Sequence, residues 1–282
     1  MNGKSAGKTA ARMFVVVSAA FGIASLLPIS GAGAEKCPGL STAIGTSRVI
    51  SVDPAALRQV GTAQYPQTLP LRDHEVVLSF DDGPSPLTTG KVLDALAAEC
   101  AKATFFIVGE HARARPDLVR RAYKEGHAIG THSQTHPDLA RLTYAEAVRE
   151  IDGGIQSVQT ALGPQMTIAP FFRAPYLQIT SELQHFLFQR ELMLWSIDID
   201  TEDWRPQTPD NLVERTLSLL KAKHSGIVLL HDVQPHTAEA IPMLLRELKA
   251  HGYSIVQAIA PEAGTKPITV SGDTAPSGAQ LK

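Results

Sequence analysis

The sequence predicts an α/β fold built on a mainly parallel sheet, open or closed into a barrel, and three observations carry that expectation. From residue 74 onward, seven short apolar runs alternate with amphipathic stretches. The intervening stretches carry helix start and stop signals, so strands joined by helical, right-handed crossovers are expected. Nearly every apolar run also ends in an ionisable side chain, as expected where ligands bind beyond the carboxyl ends of parallel strands.

Taken in order, the chain begins with Lys4, Lys8 and Arg12, then an uncharged apolar stretch from Met13 to Ile29, then Ala32-Gly33-Ala34. This is the layout of a secretory signal peptide with an A-x-A cleavage site, so residues 1–34 are expected to be removed on export to the periplasm or the medium. An uncleaved anchor is the alternative, since the run nears the lower limit for a spanning helix. Ala34-Glu35-Lys36 ahead of Cys37 does not form a lipoprotein processing box. Residues 35–73 read as an irregular lead-in. Cys37 and Cys100 would both reach an oxidising compartment and can pair there, or Cys100 in "LAAECAKA" is a small buried residue on a helix.

The seven expected strands are "EVVLSF", "KATFFIVG", "HAIGTH", "IAPFFRAPY", "ELMLWSIDID", "SGIVLLHD" and "YSIVQAI". The clearest helix is "LTYAEAVREIDGGIQSVQTALG". There Thr143 and Glu146 form a capping box, and Val148, Ile151, Ile155, Val158 and Leu162 recur at helical spacing. Gly153 and Gly154 weaken that helix without ending it. A second helix, "TAEAIPMLLRELKAHGY", is stopped by Gly252. Residues 74–260 thus read as a single domain, and 261–282, rich in Gly, Ser, Thr and Pro, reads as a disordered tail. The 282 residues carry 26 Lys and Arg against 28 Asp and Glu, a formal net charge of -2. No basic field exists to hold nucleic acid or anionic lipid.

Function is read from the strand ends. The first strand ends in Asp81-Asp82, two like charges that need a cation to separate their roles. The third ends in "THSQTHP", where His132 and His136 would share a face on a helical turn and grip one ion. Two histidines with a carboxylate suit zinc or a related divalent ion such as cobalt. One aspartate can then be a ligand and the other a base, kept ionised by Arg173 of "RAPY". The fifth strand delivers Asp198, Asp200, Asp203 and Trp204; the sixth delivers His231, suited to a general acid tuned by one of those aspartates.

In order, "SFDDGP", "THSQTHP", "RAPY", "DTEDW" and "IVLLHD" resemble the five signature motifs of the polysaccharide deacetylases, the carbohydrate esterases with a NodB homology domain. The resemblance covers about residues 74–260 and implies a deformed (β/α) barrel of seven or eight strands. It further implies metal-dependent hydrolysis of acetamide groups on a carbohydrate polymer. By the same resemblance Asp81 is the base, Asp82, His132 and His136 hold the metal, and Arg173 tethers Asp81. His231 protonates the departing amine, the Tyr176 backbone N–H helps hold the oxyanion, and Leu229 lines the acetyl-methyl pocket, with Trp204 and Tyr176 on the substrate side. The motif leaves Asp198, Asp200 and Asp203 open as partners of His231; Asp198 and Asp200, two apart on a strand, project to one face, and Asp200 is the expected partner. The same residues would also serve an O-acetyl esterase on a xylan-like polymer, a centre that cleaves another amide, or a relic that only binds carbohydrate.

Overall fold

The computed structural model describes residues 42–261 together with Met1. The leader beyond Met1, Cys37 and the tail after Pro261 lie outside the described residues. Among the described residues there are ten strands: β1 (Thr46–Ser51), β2 (Gln59–Val60), β3 (Glu75–Asp81), β4 (Thr104–Ile107), β5 (Ala128–Thr131), β6 (Phe171–Phe172), β7 (Met193–Trp195), β8 (Ile199–Asp200), β9 (Gly226–His231) and β10 (Ser254–Ile259). Seven α-helices lie among them: α1 (Thr89–Ala98), α2 (Gly109–Ala114), α3 (Pro116–Lys124), α4 (Tyr144–Leu162), α5 (Ser181–Gln189), α6 (Pro209–Lys223) and α7 (Pro235–Ala250).

Every strand pairing is parallel. Ladders run from β3 through β4, β5 and β6 to β7, while β9 pairs with both β3 and β8. Residues 196–198 carry the chain from β7 into β8, so the seven strands β3 to β9 form a circuit whose single step without a ladder is bridged by the chain itself. This is an α/β barrel deformed at one seam. Three details differ from the sequence expectation. The fifth apolar run is split into β7 and β8, and the lead-in expected to be irregular supplies β1, paired with β10, and β2, paired with β7. Both are hard to read, since β2 has two residues and β1, "TSRVIS", buries only Thr46 and Ile50. Cys100 follows the end of α1 in a left-handed conformation (φ 48°) and is partly exposed; it is not free, and whether it pairs with Cys37 falls outside the described residues.

Strand alternation sorts the core into an outer and an inner layer. Val76, Leu78, Phe80, Phe105 and Ile107 face outward and pack with Val92, Leu93 and Leu96 of α1 and Leu244, Leu245 and Leu248 of α7. Val77, Phe106, Phe171, Met193, Trp195 and Ile227 face inward and fill the barrel. Each such fully buried side chain contributes about 1.5–3 kcal/mol. A third cluster packs Ile151 of α4 and Leu183 and Leu187 of α5 on Phe172 and Leu194.

The capping box of α4 is present, with Thr143 and Glu146 bonded reciprocally, and the helix continues through both glycines. Gly154 is there for contact: a Cβ on it would lie 2.5 Å from the Ser133 carbonyl oxygen. That close approach presses α4 against the loop after β5. Helix α7 ends at Ala250, and Gly252 (φ 78°) lies just beyond its C-cap His251. Among the described residues no helix is long and apolar enough to cross a membrane.

Candidate active site

The inward rows that fill the barrel continue past its apolar layer into polar residues. Val77 is followed on the same face by Ser79 and Asp81, Phe171 by Arg173, and Ile227 by Leu229 and His231. Register then brings the rows together, because Asp81 and His231 are directly opposed in the β3–β9 ladder. A cleft of about 420 Å³ opens there, lined by Asp81, Asp82, His132, His136, Ala174, Tyr176, Leu177, Asp200, Trp204, Leu229 and His231. Of the expected site residues, Arg173 is absent from this lining and lies fully buried behind Asp81, and the candidates Asp198 and Asp203 are absent from it as well.

Arg173 Nη1 donates to Asp81 Oδ1 at 2.6 Å and to Ser79 Oγ at 3.0 Å, Nη2 donates to the Ser196 carbonyl at 3.1 Å, and the guanidinium lies 4.2 Å from the Phe106 ring centre. Burial pushes the Asp81 carboxyl above the usual carboxylate range, and the charge of Arg173 pulls it back only in part. Arg173 therefore moderates a carboxylate that is a stronger base than an exposed one. Ser79 was legible from strand period alone, two residues before Asp81.

Asp82 follows in a left-handed conformation (φ 74°). Its Oδ1 is buried without a hydrogen-bond partner, 3.2 Å from His136 Nε2 and 3.5 Å from His132 Nε2. One ligand atom from each of the three residues falls within 4.8 Å of the others. His132 Nδ1 lies 2.7 Å from the Arg173 carbonyl oxygen, which fixes the tautomer with its N–H there and leaves Nε2 as a bare donor. Burial drives the His132 pKa down to about 3, so the ring is neutral, as a ligand must be. An orphaned carboxylate oxygen facing two imidazole nitrogens fits a divalent cation.

The two histidines do not share a helical turn as expected. They converge from a loop in which Ser133 (φ 62°) and His136 (φ 60°) are left-handed and the His136 amide donates to Ser133 Oγ at 3.0 Å. Glu150 of α4 holds that loop by accepting from the amides of Gln134 and Thr135 at 3.1 and 2.8 Å, a role no sequence signal announced.

The structure corrects the expected partner of His231. Asp203, not Asp200, lies 2.6 Å from His231 Nδ1, and it is fully buried. Its other oxygen accepts from the His231 amide and from Thr237 Oγ1, both at 2.7 Å. Asp200 is exposed at the cleft wall and accepts from the Glu202 amide at 2.9 Å. Asp198 accepts from the Thr62 amide and hydroxyl, the Thr68 hydroxyl and the Ile227 amide at 2.6–2.8 Å, which ties the lead-in to the barrel seam. Burial lowers the His231 pKa, but the hydrogen bond and charge of Asp203, with the charges of Asp81 and Asp82, outweigh it and raise the value to about 9.

Tyr176 (φ 56°) and Leu177 (φ 57°) form a left-handed turn at the rim. The amides of Leu177 and Gln178 bond back to Ala174 and Pro175, and that of Tyr176 is left out of these turn bonds. The Tyr176 ring packs edge-on to His136 at 4.7 Å, and Tyr176 and Trp204 are 63% and 51% exposed at the cleft. Leu229 is buried at the cleft floor.

Comparison with known proteins agrees with this arrangement. The sequence model described as "Polysaccharide deacetylase" matches residues 69–190. The chain is 32% identical over 197 residues to a chitooligosaccharide deacetylase of Rhizobium leguminosarum bv. trifolii, covering 65% of this chain and 89% of that one. It is 36% identical over 183 residues to a peptidoglycan-N-acetylglucosamine deacetylase of Listeria monocytogenes, covering 64% of this chain and 37% of that one. The chain thus spans little more than a third of that longer relative. Among solved structures it resembles a Bdellovibrio bacteriovorus peptidoglycan deacetylase, with a TM-score of 0.68, 36% identity, and coverage of 76% of this chain and 59% of that one. A likeness that covers 89% of the Rhizobium protein, a matching fold, and a paired carboxylate, two histidines and a buried arginine at one end of the barrel lead to one conclusion: the chain belongs to the polysaccharide deacetylase family.

Proposed function

We propose that this protein is an exported, metal-dependent hydrolase that removes N-acetyl groups from an N-acetylglucosamine-containing polymer, a chitin-like oligomer or peptidoglycan, and releases acetate. The observation that carries the reading is the opposition of Asp81 and His231 across the β3–β9 ladder, one a buried carboxylate and the other an imidazole held cationic, beside a three-residue donor set. A base and an acid with pKa values set apart by their surroundings are what amide hydrolysis needs. The relatives named as peptidoglycan and chitooligosaccharide deacetylases support the substrate class. Export rests on the leader pattern of Lys4, Lys8 and Arg12 before the apolar stretch.

Asp82, His132 and His136 would hold the ion, zinc or cobalt among the candidates. When bound, it supplies Lewis acidity, polarising the acetyl carbonyl and making a water more acidic. Asp81 takes the proton of the attacking water, with Arg173 holding its carboxylate in place. As the carbonyl carbon becomes tetrahedral, the Tyr176 amide N–H meets the developing oxyanion. His231 gives its proton to the amine nitrogen as the C–N bond breaks, and Asp203 stabilises the imidazolium until that moment. Tyr176 and Trp204 offer faces for the sugar, and Leu229 offers an apolar wall for the acetyl methyl.

The test is acetate release by the purified chain, supplied with zinc or cobalt, from chitin oligosaccharides, peptidoglycan and acetylated xylan, with Asp81→Asn alongside. Acetate from an N-acetylated polymer, lowered about 10²–10⁴-fold in the variant, is expected. Release from xylan alone would move the activity to O-acetyl esters, and full activity of Asp81→Asn would remove Asp81 as the base.

A further inference from the structure

Asp232 is fully buried, does not line the cleft, and has no part in the chemistry above, although it follows His231 directly. A carboxylate taken out of water needs compensation, yet its Oδ1 has no hydrogen-bond partner. Its Oδ2 accepts from the Thr89 hydroxyl at the start of α1, and that hydroxyl accepts from the Ser85 amide at 2.7 Å. The carboxylate also lies hard against Gly83: a Cβ there would come within 2.3 and 2.4 Å of its two oxygens. Ser85 and Gly83 belong to the turn that carries Asp82.

That turn has to be held, because Asp82 sits in a left-handed conformation that persists only where its surroundings dictate it. His111 Nδ1, 2.7 Å from the Asp82 carbonyl oxygen, and the Val108 amide, 3.1 Å from the Gly83 carbonyl oxygen, brace it from one side. Asp232 and Thr89 brace it from the other, and Asp232 directly follows His231 at the end of β9. We propose that Asp232, acting through Thr89 and against Gly83, is a positioning residue that fixes the Asp82 turn and ties it to the strand of the general acid. The inference rests on the reading of Asp82, His132 and His136 as a metal site.

The experiment is zinc titration of the metal-free protein, with its melting temperature measured in parallel, for wild type, Thr89→Ser, Thr89→Val and Gly83→Ala. Thr89→Ser keeps the hydroxyl and is expected to bind zinc within about threefold of wild type. Thr89→Val breaks the chain from Ser85 to Asp232, and Gly83→Ala pushes the turn off the carboxylate; each is expected to weaken zinc affinity about 10- to 100-fold. If Thr89→Val does not fold, Gly83→Ala carries the test. Wild-type affinity in both variants, with or without a lower melting temperature, overturns the positioning role and leaves the metal site standing. A wild-type chain that binds no zinc overturns the metal reading, and this inference with it.

Discussion

Asp203→Asn separates the general acid from the charge that makes it one. The amide keeps the shape of the carboxylate and its oxygen can still accept from the His231 ring, but its NH2 group cannot accept from the His231 amide and Thr237, and the negative charge 2.6 Å from His231 Nδ1 is gone. Without that charge, burial acts on the imidazolium unopposed by its nearest partner, and its pKa falls from about 9 toward the ordinary value of about 6.5 or below. An acid works only while protonated, so activity is lost as pH rises through this value. At pH 8 the protonated fraction drops from about 90% to about 3%, a roughly 30-fold loss of rate. A dication near Asp82 lowers both values together, so the difference between the two proteins is the diagnostic. The same shift appears in stability. A folded-state pKa raised from about 6.5 to about 9 contributes about 3 kcal/mol that is fully present below pH 6.5 and fades as pH rises through 9. Asp203→Asn removes most of that dependence. The assays are the pH profile of kcat/KM, a proton NMR titration of His231 in the metal-free protein, and urea unfolding at pH 6 and 9. An alkaline limb that stays in place in Asp203→Asn would refute the pairing.

Three further predictions concern the neighbours. His132→Ala removes a donor whose tautomer the Arg173 carbonyl has set, so both metal and activity are lost; a stoichiometric metal content by elemental analysis would contradict the donor set. Arg173→Ala leaves Asp81 buried and unpaired. Stability is expected to fall by about 3–5 kcal/mol, and the acid limb of the pH profile to move upward, because a base must be ionised and Asp81 then ionises later. An unchanged acid limb in a folded variant would argue against Asp81 as the base. Asp198→Ala leaves four donors unmatched and costs about 3 kcal/mol or more, read by chemical denaturation, while Asp200→Asn leaves both stability and the alkaline limb near wild type.

Most of the barrel was legible because its strands are buried on both faces and read as continuous apolar runs, and the site was legible because an ionisable residue after such a run has few uses inside a fold. What escaped lacks that contrast. β1 and β2 take their order from pairing with β10 and β7, which are distant in sequence, and their own residues carry little periodicity. The loop of His132 and His136 owes its shape to Glu150 and to the bare face of Gly154, contacts made by a helix whose pattern reports only its own amphipathicity.

The three aspartates of the fifth apolar run show where periodicity stops being evidence. Counting by two from Asp198 to Asp200 assumes an unbroken strand, but the chain leaves the β7 ladder at Trp195 and joins the next at Ile199, so their shared face has no common neighbour. Asp198 is captured by the Thr62 and Thr68 hydroxyls and two amides at the seam. Asp200, the last residue of β8, is left to solvent. The chain then turns inward, anchored by the Thr201 hydroxyl on the Leu229 carbonyl at 2.7 Å, and the first carboxylate after that anchor able to reach behind His231 is Asp203. A proton donor on a rigid strand is thus tuned by a residue from a turn, and turn geometry is set by tertiary contact. The carboxylate that matters is the one with no route to water: buried beneath Thr237 and the His231 amide, it is held in place by both while its other oxygen meets the His231 ring.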